Sequence, residues 1–575
     1  MKKIILIVLL IGIIFISVCI KQPKKPSGGG GGGGSRGVPV TTTLATNTTV
    51  GIATTISMTT TTLATTTTSS NGGGGDGSVT TTTTTGSTTT TTPATTSTTS
   101  TTTTSTTIPM GASYLRTDGK YIKDGQGNIV ILHGMNNENY AFNNFAQQFA
   151  NGQYLELTEA DYERMASFGF NVIRLGISWQ NIEPTEGSYD ASYFANYIDK
   201  NIVWAKKYGI HVVLSFMQWF WSPHFDNLKP GAHGFPSWLF NSYPQTEAGR
   251  TQSQNDFLQG KGPNGTEATA DNPSMQDRMI NVWKYVATRY KNEPTILGYD
   301  LFNEPPGGGL GTDTAMDSYL LPFYERLIDE IKTVDSNHIF IYEPIGGKWF
   351  LAPRVLNRPN VIFSAHIYVQ DNDKTKATNC WQLIPPRCGY KNNITVLRDQ
   401  INGYLNLPAT NPSRNWNIPI YLGEFGPSEK PGYFYRYEWL RDLIYVLHEN
   451  NINSWSDYSY CLLGPAASNG CEFSIFNPDG TEITEYINML DNPYPRMSSI
   501  PPLKFSFNST TKHFKVVFDG IGSVKTEIYV PFRYYPAFTV NSNSSSWSNS
   551  WNETYRVLTV SAALGVPIEI TIDPA

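Results

Sequence analysis

Charge of one sign, cysteine and, over one long stretch, aromatic side chains are what this chain has little of. Lys and Arg number 42 against 47 Asp and Glu, a formal net charge of −5, and no long basic run occurs beyond the extreme N-terminus. Nothing therefore points to a nucleic-acid partner. Cysteine occurs five times in 575 residues and never at metal-ligand spacing, so neither a metal nor a cofactor is expected. Residues 27–109 are almost wholly Gly, Thr, Ser and Ala, with scarcely any aromatic ring. Such a stretch cannot bury enough apolar surface to offset its ordering entropy, and it is read as disordered.

What is present begins with an export signal. Residues 1–26 hold two lysines, an apolar run from Ile4 to Ile20, then basic and proline residues. That is a secretory signal or a short uncleaved anchor, at the lower limit of bilayer-spanning length. Cys19 stands where a lipoprotein signal carries its lipid-modified cysteine, although Val18 departs from the small residue such signals prefer. The alternative is a cysteine buried in an uncleaved anchor helix. Both readings export the chain and leave it tethered to the cell membrane. The Thr/Ser tract within 27–109 then reads as an O-glycosylated stalk holding a head away from the surface. The remaining cysteines form two short-range pairs, and disulfides Cys380–Cys388 and Cys461–Cys471 are expected in an oxidising compartment.

From residue 110 onward, apolar runs alternate with helical patterns. The runs NIVILHGM, FNVIRLGI, IHVVLSFM, TILGYDLF, HIFIYEP, NVIFSAHIY, IPIYLGEF and INSWSDY read as strands buried on both faces. Helical patterns such as MQDRMINVWKYVATRYK and YLLPFYERLIDEIKTV lie between most of them. Eight such units predict an α/β fold, a (β/α)8 TIM barrel over residues 110–496. A hairpin in YLRTDGKYIKDGQGN leads into it. Beyond NPYPR, short strands including FKVVFDG, SVKTEIYVP and PIEITIDP predict an all-β sandwich over 497–575.

Active sites of such barrels lie at the C-terminal strand ends. There the sequence delivers Arg174 on strand two, Asn303 and Glu304 on four, His366 and Tyr368 on six, Glu424 on seven and Trp455 on eight. Glutamates from strands four and seven face each other across the mouth. One carboxyl arriving protonated and another ionised is the requirement of glycoside hydrolysis, and a separation of about 5–5.5 Å implies the retaining route. Arg174 and Tyr368 could keep the second carboxyl ionised.

The motifs LFNEP (301–305), HIY (366–368), LGEFG (422–426) and the arginine of VIRLGISW together resemble glycoside hydrolase family 5, the cellulase-A-like clan. Each is weak alone, since an Asn-Glu-Pro is commonly an element terminus and a lone histidine commonly a satisfied core residue. Their order at successive strand ends is specific. The resemblance implies Glu304 as acid/base, Glu424 as nucleophile and Asn303 as donor to the substrate 2-hydroxyl. It places Arg174, His366 and Tyr368 around the nucleophile and Trp455 as the floor of the −1 sugar subsite. Within the family, NIEPTEGSYDASYFANYIDKNIVWAKKYGIHVVL and TRYKNEPTILGYDLFNEPPGG resemble the endoglycoceramidase-like branch. At the end of strand three, Ser215 and Met217 stand where the family usually places Asp and His, so either His224 or Gln218 takes over that polar contact or the −1 subsite differs.

Trp179, Trp219, Trp221, Trp238, Trp349 and Trp381 follow strand ends or lie in long loops. Flat indoles stack on sugar faces, so some of them should build glycan subsites and the rest fill loop cores. Tyr534, Tyr535, Trp547 and Trp551 in the sandwich could touch glycans or lipid headgroups, with packing against the barrel as the plainer role. The expected activity is an endo-acting β-glycosidase on β-glucan or on the glucosyl head of a glycolipid. Its substrate partner would be a polysaccharide, oligosaccharide or glycolipid, and a monomer is expected. A non-catalytic carbohydrate-binding or adhesion protein is the alternative, against which both carboxylates and their supporting residues weigh.

Overall fold

The computed structural model describes residues 113–575 apart from 312–313, 348–354, 369–393, 396, 400–416, 428–435, 467–470, 472 and 566. The apolar run at 4–20, Cys19, the Thr/Ser tract, Cys380, Cys388, Trp349 and Trp381 lie outside the described residues. Among the described residues, no helix is long and apolar enough to cross a membrane.

A hairpin of β1 (Arg116–Asp118) and β2 (Tyr121–Lys123) leads through β3 (Ile129–Val130) into a closed parallel barrel. Its strands are β4 (His133–Asn137), β5 (Val172–Ile177), β6 (His211–Phe216), β7 (Ile296–Asp300), β8 (Ile339–Tyr342), β9 (Val361–Tyr368), β10 (Ile420–Gly426) and β11 (Ser454–Asp457). Each pairs in parallel with its sequence neighbours, and β11 closes on β4. The predicted runs supply all eight strands. Such strands are covered by helices outside and side chains inside, which is why they read as unbroken apolar segments. The covering helices obey local rules. Met275–Tyr290 is capped by the Ser274 hydroxyl, which accepts from the Asp277 N–H. Leu321–Lys332 buries Leu321, Phe323, Tyr324, Leu327, Ile328 and Ile331 along one face.

The sandwich does not begin at a clean boundary. Its larger sheet runs β1-β2-β3, then β12 (Tyr494–Ser498), β15 (Gly522–Tyr529), β18 (Val557–Leu564) and β17 (Trp547–Asn552). The N-terminal hairpin thus belongs to that sheet through the β3–β12 pairing. Leu115 and Ile122 also pack with barrel residues Val172, Val213, Leu297 and Ile339. The second sheet is β13 (Lys504–Asn508), β14 (His513–Phe518), β19 (Ile568–Pro574) and β16 (Phe538–Ser542). Tyr535 is buried, and Trp547 and Trp551 pack on the sandwich's own core.

The two layers meet tightly. Tyr494 donates to the Gly169 carbonyl at 2.7 Å, and the Tyr529 hydroxyl lies 2.7 Å from the Ser167 carbonyl. A Cβ at position 169 would sit 2.4 Å from the Tyr529 ring, and Gly169 has φ +74°, so glycine is required twice over.

Two buried imidazoles favour the unfolded chain as pH falls. His211 and His233 are 7 % and 3 % exposed, and burial lowers both to about 4. They stay neutral when folded, so below the ordinary value of 6.5 the unfolded chain takes up protons first. Stability is full above that pH and falls as pH drops toward 4. At pH 5 the loss per histidine is about 2 kcal/mol, from roughly 1.4 kcal/mol per pH unit. Replacing His211 by Asn should give a Tm that falls less steeply than the parent's between pH 6.5 and 4.5; parallel melting curves would refute the assignment.

Candidate active site

Arg174 on β5 is fully buried inside the barrel, and each of its donors is placed. Nε donates to Asp300 Oδ2 (2.7 Å), and Nη1 to Glu424 Oε1 (2.6 Å) and Asn136 Oδ1 (3.0 Å). Nη2 donates to Asn303 Oδ1 (2.8 Å) and Glu343 Oε1 (2.9 Å). Burial opposes its charge, but Asp300, Glu424 and Glu343 hold it firmly protonated. A planar fork of five N–H groups is what makes such a five-acceptor hub possible.

Glu424 is aimed inward by an irregularity in β10. The pairing with β9 slips between Leu422 and Glu424, and the Gly423 carbonyl accepts from Asn136 Nδ2 at 2.9 Å. A Cβ at 423 would meet Ser364 Oγ at 2.3 Å, so the slip needs glycine. Glu424 is 5 % exposed, and besides Arg174 it accepts from the Tyr368 hydroxyl at 2.8 Å. Burial alone would raise this carboxyl, yet the His366 and Arg174 charges and the Tyr368 hydroxyl hold it below the ordinary carboxylate value.

Glu304 has a different setting. It stands just past β7 with φ +40°, a left-handed conformation that costs a non-glycine residue about 1–3 kcal/mol. Three groups hold it there. Its N–H donates to Glu343 Oε2 (2.8 Å), its carbonyl accepts from Gln218 Nε2 (2.9 Å), and His366 Nδ1 lies 2.9 Å from its Oε1. One third of its side chain is exposed, against 6 % for Glu424. His366 is buried, which would lower its pKa, but Glu343 and Glu424 raise it well above the ordinary value. Oxygens of Glu304 and Glu424 and a His366 nitrogen all lie within 4.8 Å of one another. Among the described residues this trio is the set that could hold a metal ion, though each member already has a protein partner.

Arg174, Asn303, Glu304, His366, Tyr368 and Glu424 therefore come together as the sequence predicts. Other placements differ from expectation. Trp455 is not a sugar platform: it is 1 % exposed, stacks on His133 at 4.2 Å and faces His448 and Phe505 on the helix side. Alternation explains this, since Ser456 meets Tyr421 inside the barrel while Trp455 and Asp457 point out. Tyr458 arrives at the mouth instead, half-buried, donating to Glu138. Trp179 is wholly buried and donates to Glu183 Oε2 at 2.7 Å, a packing residue beside Phe235. Gln218 faces the Asn303 and Glu304 carbonyls rather than open cleft, and His224 is turned away to the Tyr243 carbonyl. Ser215 donates to Asp300. Trp221 is core and Trp238 half-buried on the Glu183 carbonyl, whereas Trp219 is 41 % exposed. Cys461–Cys471 is formed.

Sequence reasoning missed Asn136, Glu138, Asp300, Glu343 and Tyr458. All but Tyr458 stand at strand ends, in HGMNNE, GYD and IYEP, where inward polar residues were visible. Burial raises Glu138 to about 7, partly offset by the Tyr458 hydroxyl.

An eight-stranded parallel barrel with paired carboxyls past its fourth and on its seventh strand defines a glycoside hydrolase of the (β/α)8 class. The cellulase model, glycosyl hydrolase family 5, matches residues 124–461, and the chain belongs to that family. It is 22% identical over 484 residues to endoglycoceramidase I of Rhodococcus hoagii, covering 80% of this chain and 88% of that one. It is 25% identical over 225 residues to an endoglycoceramidase of Cyanea nozakii, where the match spans 34% of this chain and 44% of the relative. The ganglioside GM3 complex of endo-glycoceramidase II from Rhodococcus sp. superposes with a TM-score of 0.61 at 22% identity, covering 80% of this chain and all of that one.

Trp455 and Tyr458 should respond differently to substitution. Trp455→Phe should lose roughly 1–3 kcal/mol of stability with KM unchanged, as a core truncation does. Tyr458→Phe should leave Tm near the parent's and lower kcat/KM about tenfold or more. A KM effect confined to Trp455 would restore it to the subsite.

Proposed function

We propose that the chain is a retaining endo-β-glycosidase, with Glu424 as nucleophile and Glu304 as acid/base. The observation that carries this is that one oxygen of each carboxyl comes within 4.8 Å of the other, the two groups having unlike settings. The retaining route needs about 5–5.5 Å, whereas a water-admitting inverting pair needs roughly 6.5–9.5 Å. Glu424, gripped by Arg174 and Tyr368, is kept ionised for attack on the anomeric carbon. Glu304, open to the cleft, hands its proton to the departing oxygen and later takes one from water. Asn303 donates one amide hydrogen to the Gln218 carbonyl at 3.1 Å, leaving the other for the substrate 2-hydroxyl.

For substrate, we favour the glucosyl head of a glycolipid over a β-glucan. The endoglycoceramidase relatives and the sandwich that accompanies the barrel support it. Tethering at the outer membrane surface, through residues 1–26 and the Thr/Ser stalk, would hold the head near such lipids. The purified protein should release intact oligosaccharide from glucosylated lipids faster than sugar from carboxymethyl-cellulose, mannan or mixed-linkage glucan. The reverse ranking would make it a cellulase in practice.

An activated 2-fluoro-glycoside should label Glu424 covalently; labelling elsewhere, or an inverted anomer among early products, would sink the retaining mechanism. No labelling and no turnover would favour the carbohydrate-binding alternative. The nucleophile must be ionised, so activity is lost as pH falls through its pKa. With Glu424 held below 4.5, the acid limb of kcat/KM should lie below pH 4.5 and move upward in Tyr368→Phe.

A further inference from the structure

Glu343 stands one residue beyond β8, with no side-chain exposure. Its two oxygens grip different parts of the site. Oε2 accepts the Glu304 N–H at 2.8 Å. Oε1 accepts from Arg174 Nη2 at 2.9 Å and lies 3.2 Å from His366 Nε2. Arg174 holds Glu424, and the other nitrogen of the same imidazole lies against the Glu304 carboxyl. One carboxylate thus joins the backbone of Glu304 to both cations of the cluster.

We infer that Glu343 is the positioning residue that keeps Glu304 in its left-handed turn and aims its carboxyl, resting on the reading of Glu304 as acid/base. The backbone at φ +40° is not one a glutamate adopts unaided. Gln218 fixes its carbonyl and Glu343 its N–H. The same imidazole faces both carboxyls by charge: Nδ1 lies 2.9 Å from Glu304 Oε1 while Nε2 lies 3.2 Å from Glu343 Oε1. Asp300 completes the set of charged groups around Arg174. Tyr324 anchors the Glu343 segment by donating to its carbonyl at 3.0 Å.

Glu343→Gln keeps the volume but places an NH2 either against the Glu304 N–H or against Arg174 and His366. Donor then faces donor in both rotamers, and a small shift of the acid/base follows. A misplacement near 1 Å costs about 10²-fold. That loss should appear where protonation of the leaving group limits the rate. On an alkyl or lipid glycoside, kcat should fall about 10²-fold, while on a dinitrophenyl glycoside it falls less than about tenfold. Labelling of Glu424 by the 2-fluoro-glycoside should persist. Should Glu343→Gln fail to fold by circular dichroism, Glu343→Asp carries the test, since it keeps the charge but withdraws it from the Glu304 N–H. The same split is expected. Glu304→Ala is measured alongside. If Glu304→Ala shows the leaving-group dependence and the 343 variants lose both substrates equally, Glu343 is not the positioning residue and the function stands. If Glu304→Ala itself loses both equally, the acid/base assignment falls and this one with it.

Discussion

A guanidinium buried at the centre of a barrel is an expensive object, and Arg174 is tolerable only because its surroundings were built for it. Removing one partner of a buried ion pair leaves an uncompensated charge at a cost of about 3–5 kcal/mol. Here the partners are Asp300, Glu343 and Glu424, delivered by three different strands or their ends, with the amide oxygens of Asn136 and Asn303 filling the remaining places. Every strand that contributes a partner must keep its register. The barrel's geometry and the site's electrostatics are therefore one constraint, since a slip of a single residue would point an acceptor outward.

The same constraint explains local oddities that would otherwise look like defects. The irregular pairing at Gly423 and the left-handed Glu304 both break regular geometry, and both occur where a carboxyl has to leave the strand direction to reach the cluster. The strain is stored locally and offset by hydrogen bonds to fully buried partners. The sandwich contributes from behind. Tyr494 and Tyr529 bear on the turn at Gly169, immediately before β5 carries Arg174 inward. The C-terminal domain thus buttresses the strand on which the hub depends.

Much of this was legible in the sequence, for a physical reason. Strands buried on both faces announce themselves as apolar runs, and polar residues ending those runs have few places to go but the barrel mouth. Glu304, Glu424, Arg174, Asn303, His366 and Tyr368 were found that way. Where the strand ends was less legible. Trp455 and Tyr458 are three residues apart, and which of them faces the cleft depends on an alternation that INSWSDYSY does not declare. Trp179 misled because an indole after a strand end looks the same whether a sugar or Phe235 covers it. The hairpin's membership of the sandwich rests on the β3–β12 pairing across more than 360 residues of chain, and no local pattern reports so distant a partner.

Charge balance within the cluster gives the site its direction. Arg174 and His366 supply two positive charges, while Asp300, Glu343, Glu424 and Glu304 offer four carboxyls. A buried surplus of anions is costly, so the cluster must relieve it by holding protons or by letting water in. Burial pushes Glu343 up, and the His366 and Arg174 charges beside it pull it back down. Water reaches Glu304, whose side chain is one third exposed. Glu424 has neither outlet: it is buried and bound by Arg174 and Tyr368, and it stays an anion. The asymmetry between the two glutamates is thus one of setting: Glu424 is buried and bound by Arg174 and Tyr368, while Glu304 opens to water.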